Sequence, residues 1–209
     1  MPRASGTPNR ATAEKRAELL ARIRARLQDR SAGPASWREL AAAAGVSLSS
    51  LTHHFGRRDD VVRALMEDER RHGEQPLSTM AQPAGDFATS IREAVRHLAG
   101  GLLHAGLDRV IATGLAEGLG HPTVGPAFVT SLLEPTIQAA EARLEAHVAR
   151  GEMHGGATRL AAIELIAPLL VAVLHQRPLG GADVRPLDLG AFGEAHAESF
   201  IRSWAAATR

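Results

Sequence analysis

The sequence predicts an all-α protein of about nine helices, with an N-terminal helix-turn-helix head and a C-terminal helical body. Apolar residues recur at the three- and four-residue spacing of helices along most of the 209 residues, and no stretch alternates as a strand would. Glycine and proline residues separate these periodic segments. We therefore divide the chain into an arm at residues 1–12, an N-terminal head with its linking helix at 13–72, and a helical body at 73–209.

The first 12 residues contain two prolines, a glycine and almost no apolar side chain, so we expect a disordered arm. Arg3 and Arg10 could reach a DNA minor groove from this arm, although a disordered tail without a role is the simpler alternative. The first helix is predicted over about residues 13–30, where Leu20, Ile23 and Leu27 belong to one apolar stripe.

Two short helices around a tight turn are predicted between residues 36 and 55. Ser36 followed by Glu39 is a capping-box sequence, so a helix should begin at residue 37, and Gly45 should end it. Ser47 can cap a second helix over residues 48–55, whose outward face is polar and sterically small. Such a helix suits the major groove of DNA, although an ordinary helical hairpin is the alternative.

The charge of the chain is distributed unevenly, which the net charge of +1 conceals. Residues 1–58 contain 11 Lys and Arg against 4 Asp and Glu, a net charge of +7, and the remainder is therefore at −6. A basic N-terminal third is typical of a module that binds phosphates. A solvated charged face remains the alternative for many of these arginines individually.

The head sequence resembles the signature of the TetR family of bacterial transcriptional regulators. The positions that match are Ala44, Gly45, Val46, Ser47, Ser49, Ser50, Leu51, His54, Phe55, Arg58, Asp59, Asp60 and Val61. The resemblance implies a sequence-specific DNA-binding regulator, a repressor that a small apolar molecule releases from its operator. It also implies a homodimer, paired through the last two helices, that reads a near-palindromic duplex.

Carried over position by position, the resemblance implies a set of DNA-binding residues. These are Arg38, Ser47, Leu48, Ser49, Ser50, Thr52, His53, His54 and Arg58. Arg38 is the candidate for a bidentate guanine contact, and Arg58 stands in place of the family's phosphate-binding lysine. Thr52 replaces the family's usual phosphate-binding tyrosine, which makes affinity and operator choice the properties in doubt.

The remaining sequence predicts helices over about residues 59–72, 87–104, 108–119, 125–150, 158–175 and 189–206, with loops at 73–86 and 178–186. Pro135 lies inside the segment 125–150 and should kink or break that helix near Leu132, because proline lacks the backbone N–H that a helix needs. The last two helices would form the dimer seam, although they could also be core helices of a monomer.

Apolar helical stripes in the body suggest where a neutral, apolar effector would bind. The candidate ligand-binding residues are Val95, Leu98, Phe128, Leu132, Glu164, Ile166 and Leu170. Glu164 is included because Pro168 frees its carbonyl inside an apolar helix, so that a carboxylate and a carbonyl could both face a cavity. Plain core packing, and a polar residue at the dimer seam for Glu164, are the alternatives.

The sequence argues against several other classes of protein. It contains no cysteine, no recognisable catalytic motif and no pair of histidines at metal-binding spacing, so we expect no enzyme activity, no cofactor and no metal. It lacks an apolar leader, and Glu164 and Pro168 interrupt its most apolar helix, so we expect a cytoplasmic protein without a membrane span. A ligand-independent regulator of the same fold, a helical enzyme and a metal-binding protein are the alternatives.

Overall fold

A computed structural model describes residues 10–29 and 33–206 of the chain. Within these ranges every regular element is helical, apart from one isolated bridge between Met153 and Ala205, which confirms the predicted all-α class. A π-helical segment at Val129–Leu133 lies between two of the α-helices. The helices are α1 (Arg10–Gln28), α2 (Trp37–Ala44), α3 (Leu48–Phe55), α4 (Arg58–Ala81), α5 (Phe87–Leu103), α6 (Leu107–Gly118), α7 (Val124–Phe128), α8 (Glu134–Ala149), α9 (Thr158–Gln176), α10 (Gly181–Val184) and α11 (Leu189–Trp204).

The head consists of α1, α2, α3 and the first turns of α4, which enclose a small apolar core. Its buried residues are Leu19, Leu20, Ile23, Ala35, Leu40, Ala41, Ala44, Leu51, Phe55, Val61 and Leu65. Both short helices have the predicted bounds, because their capping residues are local and unambiguous. α1 begins at Arg10, so the prediction of an arm extending to residue 12 is wrong for its last three residues; residues 1–9, including Arg3, lie outside the described part.

α4 joins the head to the body because its two faces belong to different cores. Val61 and Leu65 complete the core of the head. Val62 and Met66, one position further along in each case, are buried in the larger core of the body. The head is therefore anchored through side chains on one continuous helix.

α4 ends at Ala81, and the prediction that it ends at residue 72 is wrong. Gly73 and Pro76 lie inside the helix, where each weakens it locally. The helix continues because Leu77 and Met80 pack in the core of the body, and His97 Nε2 lies 3.0 Å from the carbonyl oxygen of Pro76. Tertiary packing here outweighs the local preference of the sequence.

A buried arginine closes the C-terminal end of α4. Arg143 on α8 is 1% exposed, and its Nε and Nη2 donate to the carbonyls of Met80 and Thr79 at 2.7 and 3.0 Å. Its Nη1 donates to the carbonyl and hydroxyl oxygens of Ser90 at 3.0 and 2.7 Å, and pairs with Glu93 at 3.3 Å. The guanidinium thus supplies hydrogen-bond donors to carbonyls in the last turn of α4.

The predicted break near Leu132 is confirmed as the π-helical segment, which lies directly before Pro135. Pro135 has no N–H to donate to the preceding turn, so the helix widens there. The hydroxyl of Thr136 donates to the carbonyl of Leu132 at 2.8 Å, within this irregular turn. The predicted loop at 178–186 also differs from expectation, since it contains the single turn of α10.

One helix among the described residues, α9, is long and apolar enough to cross a membrane by length and composition. Its most apolar window is 39% buried inside the protein. Ala161, Leu165, Leu169 and Val173 are buried in the body, which is the position of a core helix in a helical bundle.

Candidate nucleic-acid interface and body cavity

The start of α2 has the predicted capping box. The hydroxyl of Ser36 accepts from the backbone N–H of Glu39 at 3.3 Å, and Glu39 Oε2 accepts from the backbone N–H of Ser36 at 2.7 Å. These bonds with Ser36, and a further one from Arg26, lower the pKa of Glu39 from 4.5 to about 2. Gly45 ends the helix with a φ of 72°, a left-handed conformation that favours glycine.

α3 presents a polar face to solvent and an apolar face to the head. Ser47 caps it by accepting from the N–H of Ser50 at 3.1 Å, while Leu51 and Phe55 are buried against α1, α2 and α4. The exposed side chains are Ser47, Leu48, Ser49, Thr52 and His53, whereas Ser50 and His54 are half-buried. The exposed residues of this helix therefore share one surface with its capped N-terminus, an arrangement suited to phosphates and base edges.

Two hydroxyls on this surface already have partners. Thr52 donates its hydroxyl hydrogen to the carbonyl of Leu48 at 2.9 Å, so that only its lone pairs face outward in this rotamer. The hydroxyls of Ser47 and Ser49 lie 3.0 Å apart. Thr52 must rotate before it can donate to a phosphate, which adds to the difference from a tyrosine in the same place.

The C-terminal end of α3 is fixed by α1. The guanidinium of Arg16 lies 4.2 Å from the centroid of the Phe55 ring and donates to the carbonyl of His54. A cation above an aromatic face and a charge-assisted hydrogen bond both stabilise the helix end. The backbone of His54 thus has a structural contact, while its imidazole is half-buried beside the interface.

Two arginines predicted to bind DNA have different surroundings. Arg38 is exposed in the first turn of α2. Arg58, the first residue of α4, donates through Nη1 and Nη2 to the two carboxylate oxygens of Glu117 at 2.5 and 2.8 Å, and through Nη2 to the carbonyl of Ala35 at 3.2 Å. The bond to Glu117 is the main cause that raises the pKa of Arg58.

A second contact between the head and the body lies beside this ion pair. His121, just after α6, places its Nε2 3.3 Å from a carboxylate oxygen of Asp59. Its Nδ1 lies 3.3 Å from the backbone nitrogen of Val124, at the start of α7. Neither Glu117 nor His121 could be predicted from the sequence, since no local pattern marks a distant partner; Glu117 lies 59 residues from Arg58 in the chain.

The body contains a cavity of about 170 Å³ between α5, α6, the π-helical segment, α8 and α9. Its walls are the side chains of Leu98, Leu102, Leu107, Ile111, Leu132, Leu133, Thr136, Ile137, Ile163, Ile166, Ala167 and Leu170. Thr136 is the polar member of this set, and its hydroxyl hydrogen is already donated to the backbone. The walls carry no charge, so they suit an uncharged, apolar molecule.

Four of the seven predicted ligand-binding residues line this cavity, namely Leu98, Leu132, Ile166 and Leu170. The other three lie elsewhere. Val95 packs near Gly193 of α11, and the ring of Phe128 lies on Gly114 of α6. Glu164 is exposed and accepts from Trp204 Nε1 at 3.1 Å, so the suggestion that it faces the cavity is wrong.

The position of Glu164 on the outward face of α9 explains why its prediction failed. The ring of Pro168 does remove one backbone donor from α9, as expected. However, the Glu164 side chain lies on the outward face of the helix, where pairing with an indole N–H and water avoids the cost of burying a carboxylate.

Among the described residues no group of three or more His, Asp or Glu side chains is placed to hold a metal ion.

No protein-family model and no curated protein sequence matches the chain. Its fold is similar to that of a Mesorhizobium loti protein assigned to the TetR family of transcriptional regulators, with a TM-score of 0.74, 19% identity and coverage of 95% of this chain and 100% of that one.

Two further similar structures are those of named transcriptional regulators. SmeT, the repressor of the Stenotrophomonas maltophilia multidrug efflux pump SmeDEF, has a TM-score of 0.64 at 18% identity, covering 91% of this chain and 90% of its own. FadR from Bacillus subtilis, in complex with stearoyl-CoA, has a TM-score of 0.68 at 14% identity, covering 88% and 97%. The chain is thus an all-α protein with a helix-turn-helix head, and its fold is that of the TetR-family regulators.

Proposed function

We propose that this protein is a sequence-specific DNA-binding transcriptional regulator of the TetR family. The observation that supports this most strongly is the surface of α3. A capped helix, held from behind by Leu51 and Phe55, exposes small hydrogen-bonding side chains and its N-terminus. The positive charge of the first 58 residues adds the electrostatic attraction that DNA requires.

The proposed roles of individual residues follow from their positions. Ser49, Thr52 and His53 face outward for base edges or phosphates, and Leu48, 38% exposed, is placed to meet a thymine methyl group. Arg38 is the candidate for reading guanine, because it is exposed in the first turn of α2. A regulator of this kind is also expected to lack enzyme activity.

The proposed assembly is a homodimer paired through α9 and α11. Leu160 and Val171 of α9 are 65% and 64% exposed, and Ile163 is 38% exposed, an apolar surface that a second copy would cover. Two heads related by a two-fold axis would then read two half-sites about 34–36 Å apart on one face of the duplex.

The proposed effector is an uncharged apolar molecule that occupies the body cavity and releases the protein from DNA. The absence of charge from the cavity walls supports this chemistry. FadR of Bacillus subtilis, which has a similar fold, was solved in complex with stearoyl-CoA. Release by a ligand requires that DNA in turn weakens binding of that ligand, because the coupling between two sites is reciprocal.

Fluorescence anisotropy tests the proposed function directly. The protein is titrated into a labelled duplex from the DNA that flanks its own gene and, in parallel, into a shuffled duplex of the same length. We expect binding of the natural duplex to be at least about 10³-fold tighter, as in specific regulators. Equal affinity for the two duplexes at every site tested along the flanking DNA would contradict the proposal.

Arg38→Ala extends this test to a single residue. If Arg38 reads a guanine, the variant loses about 1–3 kcal/mol of binding free energy on the natural duplex and very little on the shuffled one. Arg63→Ala is a matched control, since Arg63 is an exposed arginine of α4 that pairs with Asp60. An equal loss on both duplexes would show that Arg38 contacts only phosphate.

A further inference from the structure

Arg58 makes a bidentate ion pair across the junction between the head and the body. Its guanidinium donates to both carboxylate oxygens of Glu117, at 2.5 and 2.8 Å. Glu117 lies in the last turn of α6 and its side chain is 14% exposed, whereas that of Arg58 is 31% exposed. Glu117 is therefore the more deeply buried partner of the pair, and the Arg58 side chain is half-buried.

The same donors cannot hold a carboxylate and a phosphate at once. A guanidinium binds either anion through two parallel N–H donors in one plane, and Glu117 occupies that arrangement here. Arg58 is also close in sequence to the DNA-facing helix, which ends at Phe55. A phosphate approaching this end of α3 thus meets an arginine that is already neutralised.

We propose that Glu117 and a DNA phosphate compete for Arg58. This inference rests on the proposed DNA-binding function. In the free protein Glu117 holds the guanidinium and ties the head to α6. When DNA binds, Arg58 transfers to a phosphate and Glu117 is left to solvent. Glu117 therefore lowers the affinity for all DNA sequences alike, since a phosphate carries no sequence information.

If Glu117 has a purely structural role, its removal should change the DNA affinity in the opposite direction. If the ion pair fixes the head in the orientation that binds DNA, its removal weakens binding. The neighbouring contact between His121 and Asp59, at 3.3 Å, remains in either case and keeps the two parts joined. The direction of the change in affinity therefore distinguishes competition from support.

The test compares Glu117→Gln with wild-type protein by anisotropy on the flanking-gene duplex and on the shuffled duplex. Glutamine keeps the shape of the side chain and removes its charge. We expect both affinities to rise by about two- to fivefold for each chain that contacts DNA, the range of a partly exposed ion pair. Thermal melting followed by circular dichroism verifies that the variant is folded.

Glu134→Gln is the matched control. Glu134 makes an equivalent bidentate pair with Arg159, at 2.8 Å for both bonds, within the body. The variant changes the net charge by the same amount without altering the contact between head and body. Its DNA affinity should equal that of the wild-type protein.

Two variants of Arg58 complete the test. In an Arg58→Ala background, Glu117→Gln should no longer tighten binding, and Arg58→Ala alone should reduce the salt dependence by about 0.9 per chain on a double-logarithmic plot. Arg58→Lys should bind at least as tightly as the wild type, because an ammonium still neutralises a phosphate but cannot form the bidentate pair with Glu117.

The outcomes separate this inference from the function on which it rests. If the wild type discriminates between the duplexes but Glu117→Gln binds no more tightly than Glu134→Gln, competition is refuted and the regulator function stands. A gain that persists in the Arg58→Ala background also refutes it, since the effect is then one of general charge. If the wild type binds neither duplex, the proposed function and this inference both fail.

Discussion

The contact between Gly114 and Phe128 gives a quantitative prediction about the body. A methyl group added at Gly114 would lie 2.9 Å from Cγ of the Phe128 ring and closer still to Cδ2 and Cε2. Gly114→Ala should therefore push α6 away from α7. Overpacking of this kind costs about 1–3 kcal/mol, against a gain of about 0.5–1 kcal/mol from replacing a helical glycine.

The net result should be a loss of about 1–2 kcal/mol in the free energy of unfolding. For a chain of this size each kcal/mol lowers Tm by about 2–4 °C. The assay is thermal melting followed by circular dichroism, at one protein concentration because a dimer makes Tm depend on concentration.

Gly100→Ala is the matched control for this prediction. Gly100 also lies inside a helix, α5, but a methyl group there has no atom within 4 Å. It should gain about 0.5–1 kcal/mol and raise Tm, since only the helix preference changes. The packing argument is refuted if both variants shift Tm in the same direction, or if Gly114→Ala is as stable as the wild type.

Two further predictions concern the head and the cavity. Because the pKa of Glu39 is lowered from 4.5 to about 2 in the folded protein, its stabilising contribution is present above pH 4.5 and is lost as the pH falls towards 2. In Glu39→Gln, the midpoint of urea unfolding should therefore fall less than in the wild type as the pH is lowered from 4.5 to about 2. A fall as large as that of the wild type would contradict this prediction. Ala167→Leu should partly fill the cavity and abolish binding of the neutral fluorophore N-phenyl-1-naphthylamine, measured by its emission, while DNA affinity is retained. Undiminished emission with Ala167→Leu would place the dye elsewhere.

The two short helices of the head could be predicted from the sequence because their determinants are local. The reciprocal bonds of Ser36 and Glu39, the left-handed Gly45 and the Ser47 cap all act within four residues. The end of α4 could not be predicted in the same way. Pro76 is a local signal for a break, but the helix continues because Leu77 packs in the body and His97 of α5 contacts the carbonyl of Pro76.

The candidate sites show the same division between local and distant determinants. Leu98, Ile166 and Leu170 lie on apolar stripes that face the body, and they line the cavity. Their stripe alone could not separate them from Phe128, which fills the space over Gly114 instead. A periodic pattern identifies the buried face of a helix, whereas the presence of a void depends on the neighbouring helices.

Ion pairs between distant parts of the chain could not be predicted from the sequence either. Arg143 and Arg58 are ordinary arginines in helical segments, yet one is 1% exposed among helix-end carbonyls and the other pairs with Glu117. Their carboxylate partners, Glu93 and Glu117, are separated from them by 50 and 59 residues. No local pattern encodes such a pairing, because it depends on how the helices pack.

The proposal that this protein reads DNA sequence as a dimer can be tested by selecting duplexes from a random-sequence pool with the purified protein. We expect enrichment of one near-palindrome whose half-site centres lie about 10 bp apart or a multiple of that spacing. Substitution of the enriched guanines should then weaken binding of the wild type but not of Arg38→Ala. A bound pool that stays random through successive rounds would contradict the claim and leave a head that holds DNA through phosphates alone.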